Sequence, residues 1–188
     1  MPLVPEIETR RARRGFIEKP LEEAALKRIL EAARLAPSCA NKQPWRFVVL
    51  KSGPERDRFD KALSDGNYWA KKAPAVVLVL TNPDRDMQLS DRRDYSLFDA
   101  GLSAMCLMLQ AEKEGIIAHP IAGFDPEKAK AAAGIPDQEI LITCIILGLP
   151  GDDKALSEKH KEQEKSGRIR KSFDTLVSVD RWENPWLV

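Results

Sequence analysis

The chain has 188 residues, 43% of them apolar and 31% charged, with a formal net charge of +1. That is enough for one domain with a substantial core, and the balanced charge argues against a general nucleic-acid or acidic-membrane binder. Three cysteines (Cys39, Cys106 and Cys144, none in a CxxC pair) argue against a secreted disulfide framework. The N-terminus lacks the apolar core of a signal peptide, and no run is long and uncharged enough to span a membrane. A reducing, cytoplasmic setting is therefore expected.

In chain order, the first local break in the charge balance is Arg10, Arg11, Arg13 and Arg14. Taken alone, it reads as solvent-facing charge or as a basic arm for nucleic acid. Pro20 suits the first turn of a helix, and Glu22 and Glu23 complement the dipole there. Leu26, Ile29, Leu30 and Ala33 recur at helical spacing, carrying that helix to the Ala36-Pro37 boundary. Residues 46–50 form a short strand, and Pro54 begins a charged helix. After Ala73-Pro74, the unbroken apolar run 75–80 suits a central strand.

Residues 82–95 are polar and read as a surface excursion. From about Ser96 to Lys113 runs the most apolar helix, with Leu97, Leu102, Met105, Leu107, Met108 and Leu109 spread around it. Such a helix is expected to be buried on several sides, either in a monomer's core or at a dimer interface. Residues 116–124 read as strand and loop, 126–133 as a short helix and 140–147 as another buried strand. Residues 152–167 are charged without apolar periodicity and read as a solvated linker. The tail, about 168–188, carries Phe173, Leu176, Val177, Val179, Trp182, Trp186 and Leu187. It is too apolar to be free and is expected to dock, on its own body or across a subunit boundary.

Between the first helix and its strand, residues 36–47 hold more chemistry than a turn needs. Ser38, Asn41 and Gln43 each offer hydrogen bonds to something planar and polar; near proline they also serve simply to cap and turn the chain. Cys39 sits among them. No GxGxxG follows a strand, so a separate dinucleotide-binding domain is not expected. His119 and His160 lie far apart without ligand spacing, so no metal site is expected. Alone, His119 ends a strand and Gly123 is an ordinary turn glycine.

Four separated segments resemble the nitroreductase-like family of FMN-dependent NAD(P)H oxidoreductases. Residues 10–16 (Arg-Arg-Ala-Arg-Arg-Gly-Phe) resemble the family's Arg-Arg-Ser-x-Arg-x-Phe, with Ala12 in place of serine. Residues 33–38, with Asn41, Gln43, Pro44 and Trp45, are similar to its flavin-contacting loop. Pro120-Ile121-Ala122-Gly123-Phe124-Asp125 resembles the segment that meets the flavin's central ring. Arg168-Ile169-Arg170 resembles its basic C-terminal phosphate contact. The resemblance spans nearly the whole chain, in the family's order.

The resemblance implies an α+β fold, with a mixed central sheet between helices in three α/β/α layers, as one domain over 1–188. It implies non-covalent FMN, NADH or NADPH as reductant in a ping-pong scheme, and a small electron-poor acceptor such as a nitroaromatic, quinone or activated alkene. Arg10, Arg168 and Arg170 are its phosphate candidates, since arginine's fork suits a dianion. Arg11 and Ala12 lie in the same motif. Arg14 would stabilise charge at the reduced ring. Asn41 and Gln43 would meet the ring edge or ribityl hydroxyls, and Pro37 and Ser38 the ring's other end from a neighbouring subunit; Cys39, in the same loop, approaches the ring or serves as packing. Pro120, Ile121, Ala122 and Gly123 would approach the hydride-accepting position, with His119 beside them as a pocket donor or stacking group. Asn67, Tyr68 and Trp69 line that cavity or serve as packing. A homodimer sharing its flavin sites follows. The cofactor carries the chemistry, so no catalytic acid, base or metal is assigned. The rival expectations are an FMN carrier or redox sensor without efficient turnover, and a nucleic-acid module built on Arg10 to Arg14.

Overall fold

The computed structural model describes residues 2–186, so Leu187 of the apolar tail lies outside the described residues. At its centre is β3 (Ala75–Thr81), buried at all seven positions. It lies between β2 (Arg46–Leu50) and β5 (Ile140–Pro150), with Leu78 opposite Val48 on one side and Cys144 on the other. Side chains alternate across a strand. Ala75, Val77 and Val79 therefore enter one core, and Val76, Leu78 and Leu80 the other.

The long strand β5 also pairs with β4 (Ile117–Ile121) and, near its end, with β1 (Phe16–Ile17). All these pairings among the described residues are antiparallel, which corrects the expected mixed sheet. An unbroken apolar run reports burial on both faces; it carries no mark of strand direction.

One face is covered by α2 (Glu23–Arg34) and α4 (Tyr95–Lys113). The predicted stripe of α2 is the buried one, with Ala25, Leu26, Ile29 and Ala33 against the sheet. From α4 come mainly small residues, Ala100, Ser103, Ala104 and Ala111, with Leu107. They bring the helices close enough for the Ser103 hydroxyl to donate to the Ala33 carbonyl at 2.7 Å. The larger side chains turn outward: Leu97 and Phe98 are exposed, and Leu102, Met105 and Leu109 half-buried. The chain thus buries α4 on one side, not on several.

The opposite face holds α3 (Pro54–Phe59), a 3-10 segment (Asp65–Lys72) and α5 (Pro126–Ala132), making three layers. Phe59, Trp69, Ala70, Ala129 and Ala132 meet Val76, Leu78 and Leu80 there. Arg56 is buried among them without an unmet charge. It pairs with Asp60 and donates to the carbonyls of Ala70 and Ala73, each at 2.8 Å.

Two helices bury no side chain and left no apolar signal: α1 (Pro5–Thr9) and α6 (Glu158–Lys165). The second occupies the stretch read as a solvated linker, because polar contacts hold it. The excursion 82–95 lies at the surface as expected, apart from buried Asp86. After α6, the tail forms α7 (Phe173–Leu176) and a bridge between Ser178 and Pro185. Phe173 and Trp186 meet edge to face. Ile169, Leu176 and Trp182 stay exposed, so the tail does not bury them on the chain's own body. Among the described residues, no helix is long and apolar enough to cross a membrane.

Candidate functional site

The loop after α2 is tightly folded. Ala40, Asn41 and Gln43 have φ of 46°, 56° and 50°, a region that costs non-glycine residues and that asparagine tolerates best. Local bonds hold it there. The Ser38 hydroxyl accepts from the Gln43 amide at 2.9 Å, and the Gln43 side chain donates to Asn41 Oδ1 at 3.1 Å. The Cys39 amide donates to Asp99 of α4 at 2.7 Å. Pro37 and Asn41 are exposed, and Ser38, Cys39 and Gln43 half-buried.

Asp99 escaped the sequence reading, although a lone acid inside an apolar helix was a visible signal. It is almost wholly buried, and burial pushes its carboxyl above the usual range, with Asp86 adding to the push and the Cys39 amide opposing it. One Asp86 oxygen is buried without a partner among the described residues.

The basic segments meet elsewhere. Arg10, Arg11, Ala12 and Arg13 line a cavity of about 220 Å³ together with Arg168 and Arg170, with Glu164 as its one acidic lining residue among those described, although Arg10 and Arg168 lie 158 residues apart. None of residues 36–47 lines it. Arg168 donates to the carbonyls of Ile7, Glu8 and Arg10 at 2.8, 3.1 and 2.6 Å, and Arg11 to those of Glu8 and Arg10. Both thus crowd the C-terminal carbonyls of α1, where a helix favours cations. Arg168 Nε is buried with no partner among the described residues. Desolvation, then Arg11, Arg170 and Arg10, push its guanidinium below the ordinary value. Among the described residues no carboxylate pairs with Arg10 or Arg170, whereas Arg13 and Arg14 share Glu164. Crowded guanidinium groups and an unmet N–H fit a multi-oxygen anion such as a phosphate monoester.

Behind this cavity lies an aromatic group. His119 of β4 packs at a tilt against Trp69, ring centroids 4.5 Å apart; Trp69 also meets Phe16, and the Arg14 guanidinium lies over Trp69 at 5.7 Å. His119 is 7% exposed, and its Nδ1 lies 3.0 Å from the Arg13 carbonyl. A carbonyl only accepts, so Nδ1 carries the proton. Burial is the main reason its pKa falls to about 4; Arg14, Arg10 and His160 push the same way, and the Arg13 carbonyl opposes. The ring is neutral at pH 7.

The predicted segment 120–123 follows directly. Pro120 and Ala122 are exposed and Ile121 buried. The Ile121 carbonyl accepts from Thr143 at 2.9 Å, and that of Gly123 from Ser64 N at 3.0 Å and Asn67 Nδ2 at 2.8 Å. A Cβ on Gly123 would lie 2.5 Å from Asn67 Nδ2. The glycine therefore makes room for a side chain of the same chain, a reason the sequence did not disclose. Tyr68 is tied to α6: its ring stacks on His160 at 5.6 Å, and its hydroxyl lies 3.2 Å from His160 Nδ1 while accepting from Ser157 N. Glu164 and the contact of His160 with Tyr68 were missed because both residues sit in a run of charges. Among the described residues, no group of three acidic, histidine or cysteine side chains is placed to hold a metal.

The comparisons agree with this architecture. The model of the nitroreductase family matches residues 7–67 and 66–149. A 15.4 kDa protein from the ask 5′ region of Mycolicibacterium smegmatis is 34% identical over 149 residues, covering 74% of this chain and 99% of its own. An NADH dehydrogenase of Thermus thermophilus is 26% identical over 174 residues, covering 77% and 84%. A crystal structure of an oxidoreductase containing FMN superposes with a TM-score of 0.85 at 27% identity, over 98% of this chain and 94% of that one.

Proposed function

Because the chain belongs to the nitroreductase family, we propose that it is an FMN-dependent oxidoreductase of one domain. It takes hydride from NADH or NADPH by a ping-pong scheme and reduces a small electron-poor acceptor, such as a nitroaromatic, quinone or activated alkene. One observation carries the reading: two basic segments from opposite ends of the chain converge on one cavity with an unmet guanidinium N–H. The FMN named for the structurally similar oxidoreductase and the NADH named for the T. thermophilus relative support it.

When bound, FMN supplies the hydride-accepting ring. In this reading Arg10, Arg168 and Arg170 hold its phosphate, beside Arg11 and the backbone of Ala12. Arg14 offers positive charge to the ring, and the braced backbone of Pro120, Ile121, Ala122 and Gly123 serves its reacting end. His119 keeps the arginine segment in place through the Arg13 carbonyl. Hydride transfer needs no protein acid or base, so none is assigned.

The loop carrying Pro37, Ser38, Cys39, Asn41 and Gln43 does not line the arginine cavity of its own chain. A homodimer, with this loop completing the partner's site, reconciles that separation with the resemblance. The outward Leu102, Met105 and Leu109 of α4 and the exposed apolar tail supply surface for such an interface. Three free cysteines suit a reducing cytoplasm.

The test is an absorption spectrum of the purified protein, followed by anaerobic addition of each nucleotide. A yellow protein that releases FMN on denaturation and is bleached by NADH or NADPH is expected. A flavin that neither nucleotide bleaches would favour a carrier or sensor. A protein that takes up no FMN would end the proposal.

A further inference from the structure

The helix α6 is docked without a single buried side chain. Its hold comes from polar groups aimed at the candidate site. Glu164 Oε1 accepts from the backbone N of Arg14 at 2.9 Å and faces its guanidinium at 3.5 Å. Glu164 Oε2 lies 3.9 Å from Arg13, whose guanidinium also donates to the Glu164 carbonyl. At the other end, His160 stacks on Tyr68.

The side chains of Glu164 and Arg14 are 10% and 19% exposed. Water screens such a pair less than it would on the open surface, so the carboxylate's charge reaches whatever lies beside Arg14. A latch alone could have used an amide. A carboxylate also subtracts from the one arginine that the functional reading gives to the ring.

We infer that Glu164 is a positioning residue that sets the electrostatic strength of the cofactor site, by fixing Arg14 and cancelling part of its charge. The inference rests on the FMN reading. Its consequence is a bound flavin that is harder to reduce than an uncompensated arginine would make it, because reduction adds negative charge to the ring.

Glu164→Gln keeps an oxygen for the Arg14 amide and removes the charge. The experiment compares wild type and variant, each loaded with FMN, by equilibrating the bound flavin with a redox dye. The affinity for reduced over oxidised FMN should rise about tenfold in the variant, an upward shift of about 30 mV for a two-electron couple. FMN uptake itself, followed by fluorescence quenching, should persist. A purely structural Glu164 predicts an unmoved potential, and that result would overturn the inference while leaving the FMN reading intact. Wild type that binds no FMN would overturn the functional reading, and this one with it. Should Glu164→Gln not fold, Glu164→Asp retains the charge but withdraws it from Arg14. It should shift the potential upward by less, and no shift there also refutes the inference. A third readout needs no cofactor. Burial and, after it, Arg14 already lower the His160 pKa, so removing the Glu164 charge should lower it further in histidine NMR titration. An unmoved His160 speaks against compensation.

Discussion

The strand β3 and the helix α6 are held by opposite means. All of β3 is buried and hydrogen-bonded between two strands, and its hold is apolar area on both faces. No side chain of α6 is buried, and its hold is a handful of directed contacts from Glu164 and His160. Apolar burial is nondirectional and scales with area. Polar contacts contribute little net stability each, but they fix which atoms meet. The first region makes the chain fold; the second arranges charge where chemistry is proposed.

The sharpest break of this comparison is Leu78→Ala. Leu78 is fully buried in the centre of β3, and truncation there should cost about 3 kcal/mol, within the range for leucine in well-packed cores. Denaturant unfolding would measure it. Where the variant is folded, FMN affinity should match wild type, because no residue lining the arginine cavity belongs to that core cluster among the described residues. A large affinity loss in folded Leu78→Ala would show that the two regions are not separable.

The same division explains what the sequence disclosed. The run 75–80 and the stripe Leu26, Ile29 and Ala33 announced themselves, because burial leaves a period in the residue types. The Arg10 to Arg14 and Arg168 to Arg170 segments were legible by resemblance, and the first four residues of the one meet the other in one cavity. Strand direction was not legible, because parallel and antiparallel sheets covered on both faces select the same residues. Neither was Glu164: a carboxylate that clamps an arginine 150 positions away looks like any neighbour in a solvated run. Gly123 was singled out for a close approach of its backbone, and the demand that Asn67 places on the space its missing Cβ leaves was not legible.

His119 sits where the two regions touch, packed on Trp69 yet bonded to the arginine segment. Its ordinary value near 6.5 falls to about 4 in the folded chain, so between those values the unfolded chain binds more protons. Stability from the neutral ring is therefore complete above about pH 6.5 and is lost as the pH falls toward 4. The expected span is about 3 kcal/mol. In His119→Phe the ring packing stays and the proton is gone. The bond to Arg13 is lost at a cost of about 1 kcal/mol that does not vary with pH. Unfolding measured from pH 4 to 7 should therefore be flatter in the variant by that span. Parallel curves would mean that His119 takes up its proton equally in the folded and unfolded chain.

The smallest effect on folding should come from within the arginine cavity, and it separates binding from structure. Among the described residues Arg10 pairs with no carboxylate, whereas Arg168 also braces three carbonyls around α1. Arg10→Ala should therefore weaken FMN affinity at least tenfold, the scale of one charge-assisted hydrogen bond, and leave the melting temperature of the flavin-free protein unmoved. Arg168→Ala should lower both, because it removes a ligand group and frees the end of α1. Riboflavin, which lacks the phosphate, should bind wild type and Arg10→Ala alike. Equal losses for FMN and riboflavin would place Arg10 away from the phosphate. Unchanged FMN affinity in both variants would detach the cavity from the cofactor altogether.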